Sequence, residues 1–345
     1  MSAKKLILVI GATGVQGMPV VSALLAPQDD GTPSPYSVRA LTRNPQSEQA
    51  QALAAMGAEL FEGQYDNSRD VALALEGCYG AFVNTDTFTS GEDGEIYAGI
   101  KIFEQAHRAP QLRHYVWSGL DYGTKLGNYV PKYKAIHLDG KGTVTEFLKI
   151  QPSSPSGDSL TWSIVTTGPY LENLHGTLLG PLPERENGAV VFGIPVGDGH
   201  IPANSVEDIG WWARYTFDHR SETSGKELKV ATEWMTLDEL TETFTRVTGI
   251  PVVRKRYTVE EYLKFYPDLY KMPAVRGKQD AQTIGDVFRG MWSCWGDDLF
   301  VRDMEWIRKT HPTGYTLESW IRKKNYQGEV NPLWMIHADR SSANI

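Results

Sequence analysis

Lys5-Leu6-Ile7-Leu8-Val9-Ile10-Gly11-Ala12-Thr13-Gly14-Val15-Gln16-Gly17 is an apolar, β-branched run that gives way to a loop with glycine at every third position. Met18-Pro19-Val20-Val21-Ser22-Ala23-Leu24-Leu25 follows. The run reads as a buried strand and the sequel as a helix packed on it. Between them the glycines let the backbone turn sharply and approach a pyrophosphate, which rests on the unpaired N–H groups of the helix N-terminus. The spacing is G-x-x-G-x-x-G rather than the more familiar G-x-G-x-x-G. Its place between strand and helix favours nucleotide binding over the plain alternative, a tight strand-to-helix turn with no ligand.

Outward from this stretch, strands are expected at 37–42, 58–62, 80–85, 114–118 and 160–166, with helices at 47–56, 70–76 and 95–106 between them. Such alternation predicts an α/β fold, a Rossmann-type doubly wound parallel sheet. Ligands of that architecture lie at the carboxyl ends of the strands, so residues 11–17, Arg43, Thr85 and Ser118 should converge from separate segments. The second strand ends at Arg43-Asn44-Pro45 with no acid to accept from a ribose hydroxyl. This favours NADP(H) over NAD(H), the alternative being that Arg43 is a solvated loop charge. Asn84-Thr85-Asp86 closes the fourth strand and should face the middle of the cofactor.

A helix-like segment over 131–148 carries Tyr133, Lys134, His137 and Lys141. Beyond it regularity drops. The division expected is 1–170 for the dinucleotide-binding domain and 171–345 for a smaller mixed α/β lobe that meets substrate or partner, with some of its elements returning to the first domain. Helices are expected at 205–213, 236–248, 257–265 and near 286–292, and a strand at 227–231. The pairs Trp211-Trp212 and Trp292/Trp295 read as core or interface packing ahead of an aromatic substrate pocket.

The formal charge of −8 argues against non-specific nucleic-acid binding through the whole surface, though not against a local basic patch, and no direct nucleic-acid partner is expected. Two cysteines among 345 residues point to a reducing compartment. The N-terminal apolar run is too short for a signal segment or membrane span. A cytoplasmic protein with no membrane association is expected, the nucleus being left open. His107, His114, His175, His200, His219, His311 and His337 are scattered, and no metal site is expected.

Several separated motifs agree with one family. Residues 11–17, 38–45, His137-Leu138-Asp139-Gly140-Lys141-Gly142, Tyr170-Leu171-Glu172-Asn173-Leu174, 204–210 and 315–320 together resemble the NmrA-like family of atypical short-chain dehydrogenase/reductases, close to its NADPH-sensing members. The resemblance implies NADP(H) as cofactor. It places the pyrophosphate on Gly11, Ala12, Thr13, Gly14, Val15, Gln16 and Gly17, and the 2′-phosphate among Thr42, Arg43, Asn44 and Pro45. Gln64 and Tyr65 would lie beside the adenine, and Thr85, Asp86 and Thr87 along the central path. Lys141 would reach the nicotinamide ribose, with Tyr170, Leu171, Glu172 and Asn173 flanking the nicotinamide.

Short-chain dehydrogenases use a tyrosine and, one helical turn on, a lysine that lowers the phenol's pKa and holds the ribose. Four residues before Lys141 stands His137, so that dyad is absent. Three readings stay open: His137 as the acid tuned by Lys141; Lys141, alone or with Tyr133, as proton donor; or Lys141 as a ribose grip only. Ser118 would polarise a substrate carbonyl or cap a loop. The expected function is an NADPH-dependent reductase of a small carbonyl, enone or quinone-like substrate. The alternative is a non-catalytic NADP(H)-binding redox sensor or transcriptional co-regulator that acts through a protein partner. Self-association into a homo-oligomer is compatible with either.

Overall fold

The computed structural model describes residues 4–331. The first half runs β1 (Lys5–Ile10), α1 (Gly17–Leu25), β2 (Tyr36–Thr42), α2 (Glu48–Ala55), β3 (Glu59–Glu62), α3 (Ser68–Ala74), β4 (Gly80–Val83) and α4 (Thr87–Arg108). It continues through β5 (His114–Leu120), a short α5 (Gly123–Leu126), α6 (Ile136–Lys149) and β6 (Thr161–Thr167). Next come β7 (Leu182–Glu186), β8 (Ala189–Phe192), β9 (Ile201–Ala203), α7 (Val206–Asp218), α8 (Arg220–Thr223) and β10 (Lys226–Lys229). The remainder holds β11 (Glu233–Met235), α9 (Leu237–Thr248), β12 (Val252–Arg254) and five further helices, of which Ile284–Gly296 is the longest.

The main sheet has seven strands in the order β10-β6-β5-β4-β1-β2-β3. Parallel ladders join β3, β2, β1, β4 and β5, with Ile7 opposite Val38 on one side and Gly80 on the other. The chain leaves β1 toward β2 and β3, then jumps back to place β4 on the other side of β1. That reversal is the topological switch point, beside which a doubly wound sheet holds its ligand. β1 is an interior strand, flanked by β4 and β2, and its last four residues are buried, as a strand covered on both faces requires. Leu8, Ile10, Val83, Tyr115, Trp117 and Ile164 form one apolar cluster with Ile102 and Phe103 of α4 and Val144 and Leu148 of α6.

The chain forms two compact units. Among the described residues, the first holds 4–120, 140–166 and 209–228; the second holds 121–139, 167–208 and 229–331. In this division α7 from Ile209 onward belongs with the main sheet, and 121–139 belongs to the second unit. In the second unit β9 pairs antiparallel with β11, and β12-β8-β7 form a small mixed sheet. There α9 opens on a capping box between Thr236 and Glu239 and ends at Gly249 in the left-handed conformation (φ 73°). Trp212 is buried in the first unit, and Trp292 and Trp295 in the second. Both free cysteines are buried, and burial pushes the Cys78 thiol up to about 11 and Cys294 up to about 12. Among the described residues no helix is long and apolar enough to cross a membrane.

One expected element is extended and one is corrected. The helix expected over 95–106 lies in the longer, second part of α4; a short first part opens at Thr87, where the Asp86 carboxylate accepts from the Phe88 N–H. Gly91 (φ 78°, ψ 170°) then breaks the helical geometry, which is why the sequence shows no continuous periodicity there. The segment expected as helix over 131–148 starts at Ile136. Pro131–Tyr133 form a separate 3-10 turn and Lys134 is extended (ψ 119°), so neither Tyr133 nor Lys134 shares a helix with His137 and Lys141.

Candidate functional site

The glycine loop is built by close approach. Gly11 has φ +77°, and a Cβ there would lie 2.5 Å from the Asn84 carbonyl oxygen. A Cβ on Gly17 would lie 2.0 Å from the Gly11 carbonyl oxygen. Any larger residue at either place would push the loop off the end of β4 or off α1. The Gly14 N–H donates to Gly11 O and the Met18 N–H to Gly14 O, both at 3.1 Å. No side chain caps α1 and no acid lies in its first turn, so its N-terminal partial charge is not neutralised from within. This donor set suits a diphosphate.

At the end of β2 the Thr42 hydroxyl accepts from the Asn44 N–H (3.2 Å), and the Asn44 carboxamide accepts from the Gln46 N–H (3.0 Å). This turn leaves Arg43 exposed and without an ion-pair or hydrogen-bond partner among the described residues. Across β3 the Gln64 N–H donates to Asp70 (3.0 Å). Tyr65 is half-buried and its hydroxyl donates to Asp86 O at 3.4 Å; burial pushes the phenol up to about 12.

The residues after β4 turn inward. The Asp86 carboxylate is committed to the start of α4, accepting from Phe88 N (3.0 Å) and from the Thr89 hydroxyl. The Thr85 hydroxyl (2.6 Å) and the Thr87 hydroxyl both donate to Glu95, whose side chain is 0% exposed. Lys141, 8% exposed, reaches the same carboxylate at 3.2 Å. Its ammonium also faces Asn84 Oδ1 (3.0 Å), Thr85 O (3.0 Å) and Ser118 O (3.4 Å), with the Trp117 ring 5.0 Å away. Ser118 ties this cluster to the glycine loop, because the Gln16 carboxamide donates to its hydroxyl at 2.8 Å. Gln16, Asn84, Thr85, Thr87, Glu95, Ser118 and Lys141 thus form one connected network at the carboxyl ends of β4 and β5.

The structure therefore brings residues 11–17, Thr85, Asp86, Thr87, Ser118 and Lys141 together within the first unit. Tyr133, His137 and Tyr170–Asn173 lie in the second. His137 precedes Lys141 by one turn of α6. The Tyr133 hydroxyl donates to Asp297 Oδ2 (2.7 Å), which also takes Lys132 Nζ (2.5 Å). Leu171–His175 is a 3-10 turn fixed by the Leu171 N–H on Asn204 O (2.8 Å). Glu172 accepts from the Trp320 indole at 3.2 Å, and burial pushes its carboxyl above the usual range. Among the described residues no three His, Cys, Asp or Glu side chains are grouped to hold a metal ion; His337 lies outside them. Sequence reasoning missed Glu95, read only as the start of a helix. An acid in a first turn is commonplace, and nothing local marks this one as buried.

Comparison with known proteins follows the same lines. The model of the NmrA-like family matches residues 3–286. The NmrA-like family domain-containing oxidoreductase malD of Malbranchea aurantiaca is 29% identical over 318 residues, spanning 87% of this chain and 86% of the relative. Among solved structures, NmrA, described as a negative transcriptional regulator, superposes with a TM-score of 0.70 at 21% identity, covering 93% of this chain and 95% of NmrA. The NADPH complex of the quinone oxidoreductase QOR2 of Escherichia coli gives 0.68 at 19% identity, covering 93% and 100%.

Proposed function

Because this chain belongs to the NmrA-like family, we propose that it binds NADP(H) at the carboxyl ends of β1, β2 and β4 and reduces a small carbonyl, enone or quinone-like substrate. The observation that carries this reading is the network joining the glycine loop to Lys141 through Gln16, Ser118 and Asn84. It sets a fixed cation and an anion-receptive loop at the switch point of one sheet. The malD relative, named an oxidoreductase and matched over most of both chains, supports the reaction class. The NADPH complex of QOR2 supports the cofactor.

In this reading the α1 N-terminus and the glycine loop hold the diphosphate. Arg43, exposed and unpartnered among the described residues, takes the 2′-phosphate, for which its planar fork is suited. Lys141 grips the nicotinamide ribose and fixes the register of the ring. When bound, the nicotinamide supplies the hydride. Ser118 orients the Gln16 carboxamide at the base of the loop.

A second reading has its own support. The Ser118 hydroxyl is engaged by Gln16, and the Lys141 ammonium already faces Asn84, Thr85 and Glu95. With histidine rather than tyrosine four residues before Lys141, this favours a regulator that binds NADP(H) without turning it over and passes its occupancy to a protein partner. The deciding experiment is NADPH consumption by the purified protein against quinones, enones and aryl ketones, with Lys141→Ala alongside. Substrate-dependent oxidation that the variant loses establishes the reductase. Tight NADPH binding without turnover across the panel selects the regulator, and absence of NADP(H) binding sinks both.

A further inference from the structure

We propose that Glu95 is the positioning residue for Lys141, so that the group presented to the cofactor is a carboxylate–lysine pair rather than a lone lysine. The inference rests on the proposed NADP(H) binding and deepens it. Four pieces of the first unit meet at this carboxylate. Thr85 follows β4, Thr87 opens α4, Glu95 lies on α4 beyond the break at Gly91, and Lys141 comes from α6.

Each oxygen has its own partners. Oε1 accepts from the Thr85 hydroxyl at 2.6 Å and faces Lys141 Nζ at 3.2 Å, while Oε2 takes the Thr87 hydroxyl. Gly140, the residue before Lys141, makes room for the arrangement, since a Cβ there would lie 2.8 Å from Oε2. The break at Gly91 (φ 78°, ψ 170°) gives the two parts of α4 separate directions, so that Thr87 and Glu95 meet across it.

Packing alone gives no reason for such a pair. Desolvating two charges offsets much of their attraction, and apolar residues of similar volume commonly serve the fold as well. What the pair supplies is a cation with one fixed position. An ammonium has three N–H donors, and Glu95 Oε1, Asn84 Oδ1 and Thr85 O lie at 3.2, 3.0 and 3.0 Å around it. Glu95 and the Thr85 carbonyl anchor Lys141 from the protein side. Asn84, the partner that also packs on Gly11 of the loop, is the one a ribose hydroxyl would replace.

The test measures binding of two probes by the full-length protein: NADPH, followed by its fluorescence, and adenosine 2′,5′-bisphosphate, which lacks the nicotinamide riboside. Glu95→Gln keeps the shape of the side chain and removes its charge. The expected result is NADPH binding weakened at least about tenfold, with the bisphosphate affinity unchanged and the double variant Glu95→Gln/Lys141→Met no weaker than Lys141→Met alone. Equal weakening of both probes, wild-type NADPH affinity, or additive losses in the double variant would each overturn the proposal. Should Glu95→Gln fail to fold, Thr87→Val releases one carboxylate oxygen with both charges in place. A several-fold loss for NADPH alone is then expected, and no loss or an equal loss for both probes refutes the idea. If wild-type protein binds NADPH but turns over no substrate, the reductase reading falls and this one stands; if it does not bind NADPH, both fall.

Discussion

Arg302 should matter to the stability of this protein through a fully buried ion pair. Its side chain is 0% exposed and that of Asp121 1%. The guanidinium donates to Asp121 Oδ2 (2.7 Å), Thr167 O (2.9 Å) and Val230 O (2.9 Å). In chain order these partners follow or end β5, β6 and β10, so one side chain from near the end of the chain ties three strand exits. Arg302→Met leaves Asp121 buried with Lys229 (3.0 Å) as its one remaining counter-charge among the described residues and strips the Thr167, Val230 and Val301 carbonyls of a donor. Breaking a buried pair in this way costs about 3–5 kcal/mol, and the retained Lys229 argues for the lower end. Unfolding entropy of roughly 2.1 cal/mol/K per residue over 345 residues is about 0.7 kcal/mol/K, so the melting midpoint should fall by about 4–7 °C. Differential scanning calorimetry of the two proteins measures it. Asp121→Asn/Arg302→Met, which buries no uncompensated carboxylate, should recover at least about half of the loss. A single variant melting within about 1 °C of wild type, or a double variant melting no higher than the single, refutes the reasoning.

Two further outcomes follow from the structure. Arg43→Ala should weaken NADPH binding about 10- to 100-fold and leave NADH binding unchanged, because the loss of a charge-assisted contact to phosphate is worth about 1.5–3 kcal/mol; equal losses for both dinucleotides in a titration would contradict the assignment. His114 is fully buried between Thr161 (2.8 Å) and Ser163 (3.2 Å), and burial pushes its pKa down to about 3. The unfolded chain, with an ordinary imidazole, therefore binds the extra proton first as pH falls. Stability is lost from about pH 6.5 downward, by up to about 1.4 kcal/mol per pH unit until pH nears the folded value. Urea unfolding at pH 7, 6, 5 and 4 should show a steeper decline for wild type than for His114→Gln, and parallel declines would count against it.

The fold was legible because its signals are local. The run over 5–10, the glycines at 11, 14 and 17, and the alternation of short apolar strands with amphipathic helices each report on neighbours in sequence. The errors came where a single residue redirects the chain. Asp86 opens a short first part of α4 by offering its carboxylate to a backbone N–H, and Gly91 separates it from the longer part that the periodicity reveals. Lys134, extended after a proline-led turn, detaches Tyr133 from the helix that carries Lys141. That removes the simplest geometric link between the two residues, their placement on one helix.

By itself the sequence determined which segments form the central strands, where the backbone must turn without a Cβ, and that an arginine rather than an acid stands after β2. These follow from covalent chemistry and from periodicity within a few residues. Only the tertiary structure decided that Glu95 is a buried partner of Lys141, that Ser118 is engaged by Gln16, and that Arg302 ties three strand exits. A charged side chain carries no mark of its burial or its partner. Both are set by which remote segments the sheet brings within about 3 Å of it, and that distance is a property of the assembled fold.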